Sequence, residues 1–528
     1  MAVKLSFHGA CGTVTGSCFE VRTRRGAVLI DCGLFQGTKT IKSLNYGSFP
    51  FRPEAIDSVL LTHAHLDHSG LVPKLASCGF SGQVFATAGT ADLLTYMWPD
   101  SGQIQESEVD RLNRRNRQRG LPLVEPIYTR AMAQSSLQRL RPVAYGEWFE
   151  AAAGIRARYW NAGHILGSAS IELDVSERDR AAPISVLFSG DIGTGDKDFH
   201  EAPTGPTDVD FVVMEATYGS RARAPRSANR RRSILARELS AALKAGGMIL
   251  IPAFAVERTQ ELLFDLDALF DSGAIPTLPV FVDSPLAQRA TEVFDKHLTF
   301  ESGGTHPFRR SDVRFVGTQD ESKRLNRLRG GAVIMAGSGM CDAGRIRHHL
   351  KAHLGRPDTT VLMVGYQAPG TLGRLLLDGE DTVRIHGEEV AVRARIRYLD
   401  EYSGHADQSG LLRWWKDRGA VAWDVFLVHG EDESREALAD ALRSAGVPKA
   451  RVRRPVHGET VALSTTCSAK TTNVCATVDV AGVCAGDWHN AYSKTIIDLR
   501  KTLDTLPNDR ARKKLLVKMR RTMPLRPR

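Results

Sequence analysis

The sequence predicts an α/β protein in which a β-rich domain is interrupted by a second domain built on a largely parallel sheet. Three observations carry that expectation. Roughly the first 210 residues read as short β-branched runs separated by glycine-rich turns. The pattern then changes to alternating amphipathic helices and buried apolar runs, which favours parallel strands covered by helices. From about Arg395 to Leu463 the first style returns.

Taken in order, Val28–Ile30, Ser58–Leu61, Ile184–Phe188 and Phe211–Met214 have the composition of buried strands. A charged helical stretch lies between them, from about Ser101 to Arg119. Helices are then expected at Ile234–Ala245 and Thr259–Phe270. Strands are expected at Met248–Ile251, Val280–Val282, Ala332–Met335 and Thr360–Val364. The returning segment supplies a strand at Val425–Val428 and a helix at Glu433–Ala445. The expected division is therefore 1–215 and 395–464 for the discontinuous domain, 216–394 for the inserted one and 465–528 for a tail. A basic helix is expected within the tail, from about Ala491 to Met519.

A chain of 528 residues exceeds one compact core. No apolar run approaches the ~18 residues that span a bilayer, and the first residues carry no secretory h-region. Eight cysteines without a CxxC pair fit a reducing cytoplasm rather than a disulfide framework. The net charge of +10 is uneven: from Thr465 onward thirteen Lys and Arg face five Asp, a net of +8, which leaves about +2 for the rest. Such a tail attracts polyanions, nucleic acid among them, although solubility alone also accounts for it.

The densest chemistry is Thr62-His63-Ala64-His65-Leu66-Asp67-His68, directly behind the strand at Ser58–Leu61. His63 and His65, two apart in extended chain, point to one side; Asp67 and His68 follow where the chain turns. Imidazoles with a carboxylate suit zinc, with manganese or iron as alternatives. His164 in Asn161–Ser168 and Asp191 in Ser189–Gly193 lie among glycines that let backbone approach a crowded site. Alone, each reads as a turn residue; beside the histidine cluster they complete a ligand set. Asp31, at the end of its strand, reads as a ligand, as a carboxylate orienting a ligating imidazole, or as a turn former.

These motifs resemble the signature of the metallo-β-lactamase superfamily, which implies an αββα sandwich with metals at one edge. The superfamily alone leaves the reaction open, because its members include lactamases, thioester hydrolases and nucleases. Three further motifs narrow it: Met214–Gly219, Tyr402-Ser403-Gly404-His405-Ala406-Asp407 and Leu427-Val428-His429-Gly430-Glu431. They resemble the three motifs of the β-CASP nucleases, with Glu215, His405 and His429 at the marked positions. Ile251–Glu261, Val282–Ala287 and Gly337–Met340 fit as well, so the resemblance covers about residues 1–463. It implies a metallo-β-lactamase αββα sandwich interrupted by an α/β β-CASP domain.

The same resemblance implies a ligand set. His63, His65, His164 and Asp191 would hold one zinc; Asp67, His68, Asp191 and His429 would hold another. Asp67 would orient an activated water, and His405, supported by Glu215, would protonate the leaving oxygen. A histidine at the position of His429 implies RNA rather than DNA, so single-stranded RNA is the expected substrate, with endonucleolytic and 5′–3′ exonucleolytic modes both open. Ser403, Ser338 and Arg258 are candidate phosphate contacts, equally readable as turn or surface residues. A homodimer is an allowed state. Competing readings are a DNA nuclease, resisted by His429; a small-molecule hydrolase, resisted by the large insertion; and a non-catalytic subunit, resisted by the complete ligand set. Cys11, Cys32 and Cys341 are expected as packed thiols. Cys467, Cys475 and Cys484 lack zinc-site spacing, and His348, His349 and His353 are expected to face solvent.

Overall fold

A computed structural model describes residues 3–37, 39–176, 182–223, 227–299, 306–367, 370–474, 502–503, 506 and 508–522. Its first sheet has eight strands in the order Lys470–Val474, Glu459–Leu463, Val3–Phe7, Phe19–Arg22, Ala27–Ile30, Ser58–Leu60, Gln83–Thr87 and Leu140–Val143. The second has seven, in the order Val452–Arg453, Val425–Val428, Phe211–Glu215, Ile184–Phe188, Ala169–Val175, Ile155–Asn161 and Phe149–Ala152. Leu5, Phe7, Val28 and Ile30 of the first sheet share one buried cluster with Ile171, Val186, Phe188 and Val213 of the second. Alternation sends the other side chains outward, where helices cover them. Leu75, Leu94 and Trp98 close over Val59, Leu61 and Val84; Leu411, Trp414 and Leu438 close over Val212, Met214 and Leu427. The result is a helix–sheet–sheet–helix sandwich.

Among the described residues the inserted domain carries a six-stranded sheet, all parallel, in the order Val313–Phe315, Val280–Asp283, Val333–Ala336, Ile249–Pro252, Thr360–Met363 and Arg395–Tyr398, and a separate antiparallel pair, Thr382–Ile385 with Glu388–Ala391. Every residue of Ile249–Pro252, Val333–Ala336 and Thr360–Met363 is buried, as strands with both faces covered must be. Among the described residues no helix is long and apolar enough to cross a membrane.

Several expectations need adjustment. Arg395–Tyr398 is an edge strand of the parallel sheet, so the inserted domain's sheet runs past the expected boundary at 394. Lys470–Val474 pairs antiparallel with Glu459–Leu463, so the start of the expected tail belongs to the sandwich. The charged helix runs over Ala88–Arg119 rather than from Ser101, with Pro99 inside it. A proline costs the helix a backbone bond and a steric clash; burial of Leu93, Leu94, Met97 and Trp98 against the sheet outweighs that cost. In the tail a helix is described at Asp509–Thr522, while 475–501 lie outside the described residues, Cys475 and Cys484 among them. His349 and His353 do not face solvent. Both are buried on the inner side of Ile346–His353, where His349 Nε2 meets Asp283 Oδ2 at 2.7 Å. Cys11, Cys32 and Cys341 are buried free thiols.

Candidate metal centre

The chemistry-bearing residues sit at strand ends on one edge of the sandwich. The chain leaves Ser58–Leu60 and turns through His63 and His65 into the short helix Leu66–Ser69. Asp31, just after Ala27–Ile30, holds that turn in shape. Its Oδ1 accepts from the Thr62 amide at 2.8 Å, while Oδ2 takes the Thr62 hydroxyl at 2.8 Å and His68 Nδ1 at 2.7 Å. Asp31 has φ 61°, a left-handed conformation that a short polar residue tolerates better than most. With His68 Nδ1 committed to Asp31, Nε2 is left facing the cluster.

The other expected ligands arrive from separate strands. His164 lies between Ile155–Asn161 and Ala169–Val175, and its Nδ1 donates to the Gly404 carbonyl at 2.9 Å, which turns Nε2 inward. Asp191 follows Ile184–Phe188, and His429 follows Val425–Val428 with φ 45°. The His429 amide donates to the Ala10 carbonyl at 2.7 Å. Thr217 Oγ1 lies 3.0 Å from His429 Nδ1.

Two donor sets result. The donor atoms of His63, His65, His164 and Asp191 lie within 4.8 Å of one another, as do those of Asp67, His68 and His429. Asp191 faces both. Its Oδ2 is 3.5 Å from His63 Nε2 and 3.5 Å from His164 Nε2; its Oδ1 is 3.3 Å from His68 Nε2 and 3.5 Å from His429 Nδ1. Among the described residues Oδ1 is buried without a hydrogen-bond partner, an arrangement that a carboxylate tolerates when a cation supplies the missing partner. Ring nitrogens also face each other at 3.0 Å between His63 and His65 and at 3.1 Å between His68 and His429. Burial, then the neighbouring histidines, drives His63 and His164 well below the usual imidazole range, so both rings are neutral with a lone pair available. Buried convergent imidazoles around an orphaned carboxylate oxygen fit a metal site of the zinc type.

A third set borders the first two. His405 Nδ1 lies 3.2 Å from both oxygens of Glu215, the last residue of Phe211–Glu215, and its Nε2 is 3.8 Å from Asp191 Oδ2. The Ile192 amide donates to Glu215 Oε1 at 2.5 Å, fixing the carboxylate. Burial alone would lower the His405 pKa; the carboxylates of Glu215 and Asp191 outweigh it and push it up to about 9. Tyr218 meets the ring edge-on with centroids 5.8 Å apart.

The three candidate phosphate contacts diverge. Ser403 Oγ accepts from the His405 amide at 3.3 Å, which places it beside the proposed acid. The Arg258 guanidinium is paired with Glu261, close to Gly404. Ser338 lies in the loop after Val333–Ala336, where its hydroxyl accepts from the Ala343 amide at 3.4 Å. Sequence reading missed a buried chain behind His164. Lys197 Nζ donates to the His164 carbonyl at 2.7 Å and to Glu257 Oε1 at 2.5 Å, and His200 Nε2 meets Glu257 Oε2 at 2.9 Å. Nothing local marks an isolated lysine as buried. Thr217 was within reach, since it lies in the same motif as Glu215.

Comparison with known proteins places these features in context. A family model of the metallo-beta-lactamase superfamily matches residues 11–79, a Beta-Casp domain matches 259–376, and a Zn-dependent metallo-hydrolase RNA specificity domain matches 389–455. Ribonuclease TTHA0252 of Thermus thermophilus is 37% identical over 454 residues, covering 84% of this chain and 97% of that protein. An RNase J-like protein of Methanocaldococcus jannaschii is 29% identical, covering 81% and 93%. The transcription termination factor FttA of Methanosarcina mazei is 29% identical, covering 83% and 69%. A solved protein of unknown function from Enterococcus faecalis, 14% identical, matches with TM-score 0.50 over 88% of this chain and 100% of that one, a likeness of fold.

Proposed function

This chain belongs to the β-CASP family of metallo-β-lactamase hydrolases, and on that premise we propose that it is a metal-dependent ribonuclease. It hydrolyses internal phosphodiester bonds of single-stranded RNA, with a 5′–3′ exonucleolytic mode open to the same centre. The observation that carries the reading is the position of Asp191. One buried carboxylate offers one oxygen to each of two imidazole clusters, and His405 stands against the same edge. The RNA specificity domain spans both His405 and His429, and a relative 37% identical over 84% of this chain is named a ribonuclease.

The proposed ligands of one ion are His63, His65, His164 and Asp191, and of the other Asp67, His68, Asp191 and His429. Two zinc ions, with manganese as the alternative, supply Lewis acidity that brings the pKa of water toward neutrality and offsets charge on the phosphoryl oxygens. The chain's own groups do the rest. Asp67, one-fifth exposed at the mouth of its cluster, accepts a hydrogen bond from the attacking water and orients it. As the new phosphorus–oxygen bond forms and the ester bond breaks, His405 gives its Nε2 proton to the departing nucleoside oxygen. Glu215, bound to Nδ1, keeps the ring charged and aimed. Ser403 and Arg258 flank this point and are proposed phosphate contacts, and Ser338 is proposed in the same role. The basic tail adds non-specific attraction for RNA, arising from its net +8.

The test is a time course on 5′- and 3′-labelled RNA, with and without chelator. Internal products that vanish with chelator are expected. His405→Ala should lower kcat by about 10²- to 10⁴-fold while bound metal, measured by mass spectrometry, stays at the wild-type level. Loss of both metals with that change would mean that His405 is a ligand instead.

A further inference from the structure

Phe254 is an apolar ring left 37% exposed. A single exposed phenylalanine ordinarily needs no explanation; its surroundings here call for one. Phe254 follows the strand Ile249–Pro252, which lies between Val333–Ala336 and Thr360–Met363 in the parallel sheet. The loops after those two neighbours bring Gly339 and Gly365 against the ring. A methyl group at Gly339 would stand 2.6 Å from Cδ2, 2.6 Å from Cε2 and 3.0 Å from Cγ, a position over one ring face. At Gly365 it would stand 3.3 Å from Cε2 and 3.7 Å from Cδ2, beyond the edge. Neither glycine has a positive φ, so both are required for space rather than for backbone conformation.

The cradle is tied together. The buried amide of Gln367 donates from Nε2 to the Gly339 carbonyl at 2.8 Å and to the Gly365 carbonyl at 3.0 Å. The Phe254 carbonyl accepts from the Thr259 hydroxyl at 2.8 Å, anchoring the ring's own backbone. One face and one edge are thus backed by fixed glycine backbone, which leaves the ring's exposed surface to its remaining sides. A ring held this way loses little rotamer freedom when a flat partner lands on it.

Its location says what that partner is. The carboxyl ends of adjacent parallel strands are where open α/β sheets bind ligands. The loop that carries Phe254 continues to Glu257, which grips Lys197, which in turn donates to the carbonyl of His164. On the other side Tyr366, next to Gly365, lies within the electrostatic reach of Tyr218 and Arg221, and Tyr218 abuts His405.

We propose that Phe254, seated on Gly339 and Gly365, is a stacking platform for one nucleobase of the bound single strand. The inference rests on the reading of the chain as a ribonuclease and adds a base-binding subsite to it. Stacking on an aromatic side chain accepts any base, so the subsite fixes position along the strand rather than sequence.

The test uses the metal-loaded His405→Ala protein, in which RNA binds without being cut. Fluorescent RNA decamers carrying one abasic nucleotide at each position in turn are titrated against it by anisotropy. One position is expected to lose about 5- to 150-fold in affinity. Adding Phe254→Ala should weaken the intact decamer by a similar factor and abolish the abasic penalty at that position alone; Phe254→Trp should retain both. A merely structural role for the ring would weaken every decamer equally and leave all penalties in place, which overturns the platform. So would binding unchanged by Phe254→Ala. If wild-type protein leaves RNA intact, the reading of the function fails and the platform with it. If wild-type cleaves RNA but no abasic position couples to Phe254, only the platform falls.

Discussion

The metal edge of the sandwich and the rim of the parallel sheet meet at His164, yet they are built on opposite plans. At the metal edge, residues whose chemistry is conspicuous in isolation are delivered by strand ends and the turns and short helix behind them. At the rim, the residues are individually ordinary: a lysine, a glutamate, a phenylalanine, two glycines. They acquire a role only through burial and mutual contact, as in the chain from His164 through Lys197 and Glu257 to the helix Arg258–Asp271. The difference teaches that conspicuous chemistry concentrates where the proposed ligands converge, while their placement is set by packing some distance behind them.

The sharpest test of the contrast is Asp191→Ala. If the edge is a single two-cluster unit, removing the carboxylate that faces both clusters should empty both of metal and take hydrolysis to background, while the fold persists. This is the largest effect expected in the molecule, read by metal analysis beside circular dichroism. Loss of one equivalent only would mean that Asp191 serves one cluster and that the sharing inferred from its two oxygens is incorrect.

A change at the rim should act differently. Glu257→Gln leaves Lys197 charged and buried without its counter-ion, a situation that typically costs about 3–5 kcal/mol. The expected outcome is a lower urea midpoint, with metal affinity reduced only as far as the His164 loop loosens. Burial by itself would raise the Glu257 pKa, but His200 and Lys197 hold it well below the ordinary carboxylate range. A depressed carboxylate contributes stability above its unfolded pKa of about 4.5, lost as the pH falls further. Wild type should therefore lose part of its advantage over Glu257→Gln below that point. An unchanged midpoint at pH 7 would show that the ion pair is dispensable, and the contrast between edge and rim would lose its energetic half.

How much of this was legible in the residues follows from the same contrast. His63, His65, Asp67 and His68 announced themselves through density within one loop, and His164, Asp191, Glu215, His405 and His429 through glycine-rich or strand-end motifs. The strands were legible because buried parallel strands are near-continuous apolar runs. Phe254 lies inside a recognisable motif, yet nothing in Ala253-Phe254-Ala255 says that the ring will be left exposed. Lys197 and Glu257 were equally silent, because an ion pair buried across 60 positions has no local pattern. The helix start at Ala88 was missed because Pro99 conceals a continuous helix. His349 and His353 were assigned to solvent because their neighbours Arg347 and Lys351 are basic, although a helical period puts 346, 349, 350 and 353 on one buried face.

That last residue supplies the smallest and most contained test. His353 is buried, and among the described residues neither ring nitrogen has a hydrogen-bond partner. Burial first, then the charges of His349, Arg356 and Arg329, push its pKa down to about 4. A histidine depressed in this way stays neutral in the folded protein while the unfolded chain takes up a proton below about 6.5. The stability it permits is whole above pH 6.5 and drains as the pH falls toward 4. His353→Leu, of similar bulk and with no proton to bind, should match wild type at pH 8 and exceed it by about 1–2 kcal/mol at pH 5 in urea unfolding. It should leave RNA cleavage untouched, because the residue lies on the helix Ile346–His353, packed away from the metal edge. A variant destabilised at both pH values would mean that the imidazole fills its pocket better than an aliphatic chain can. A gain at pH 5 that brought a loss of cleavage would show that the rim's packing reaches the catalytic edge by a route other than Glu257 and Lys197.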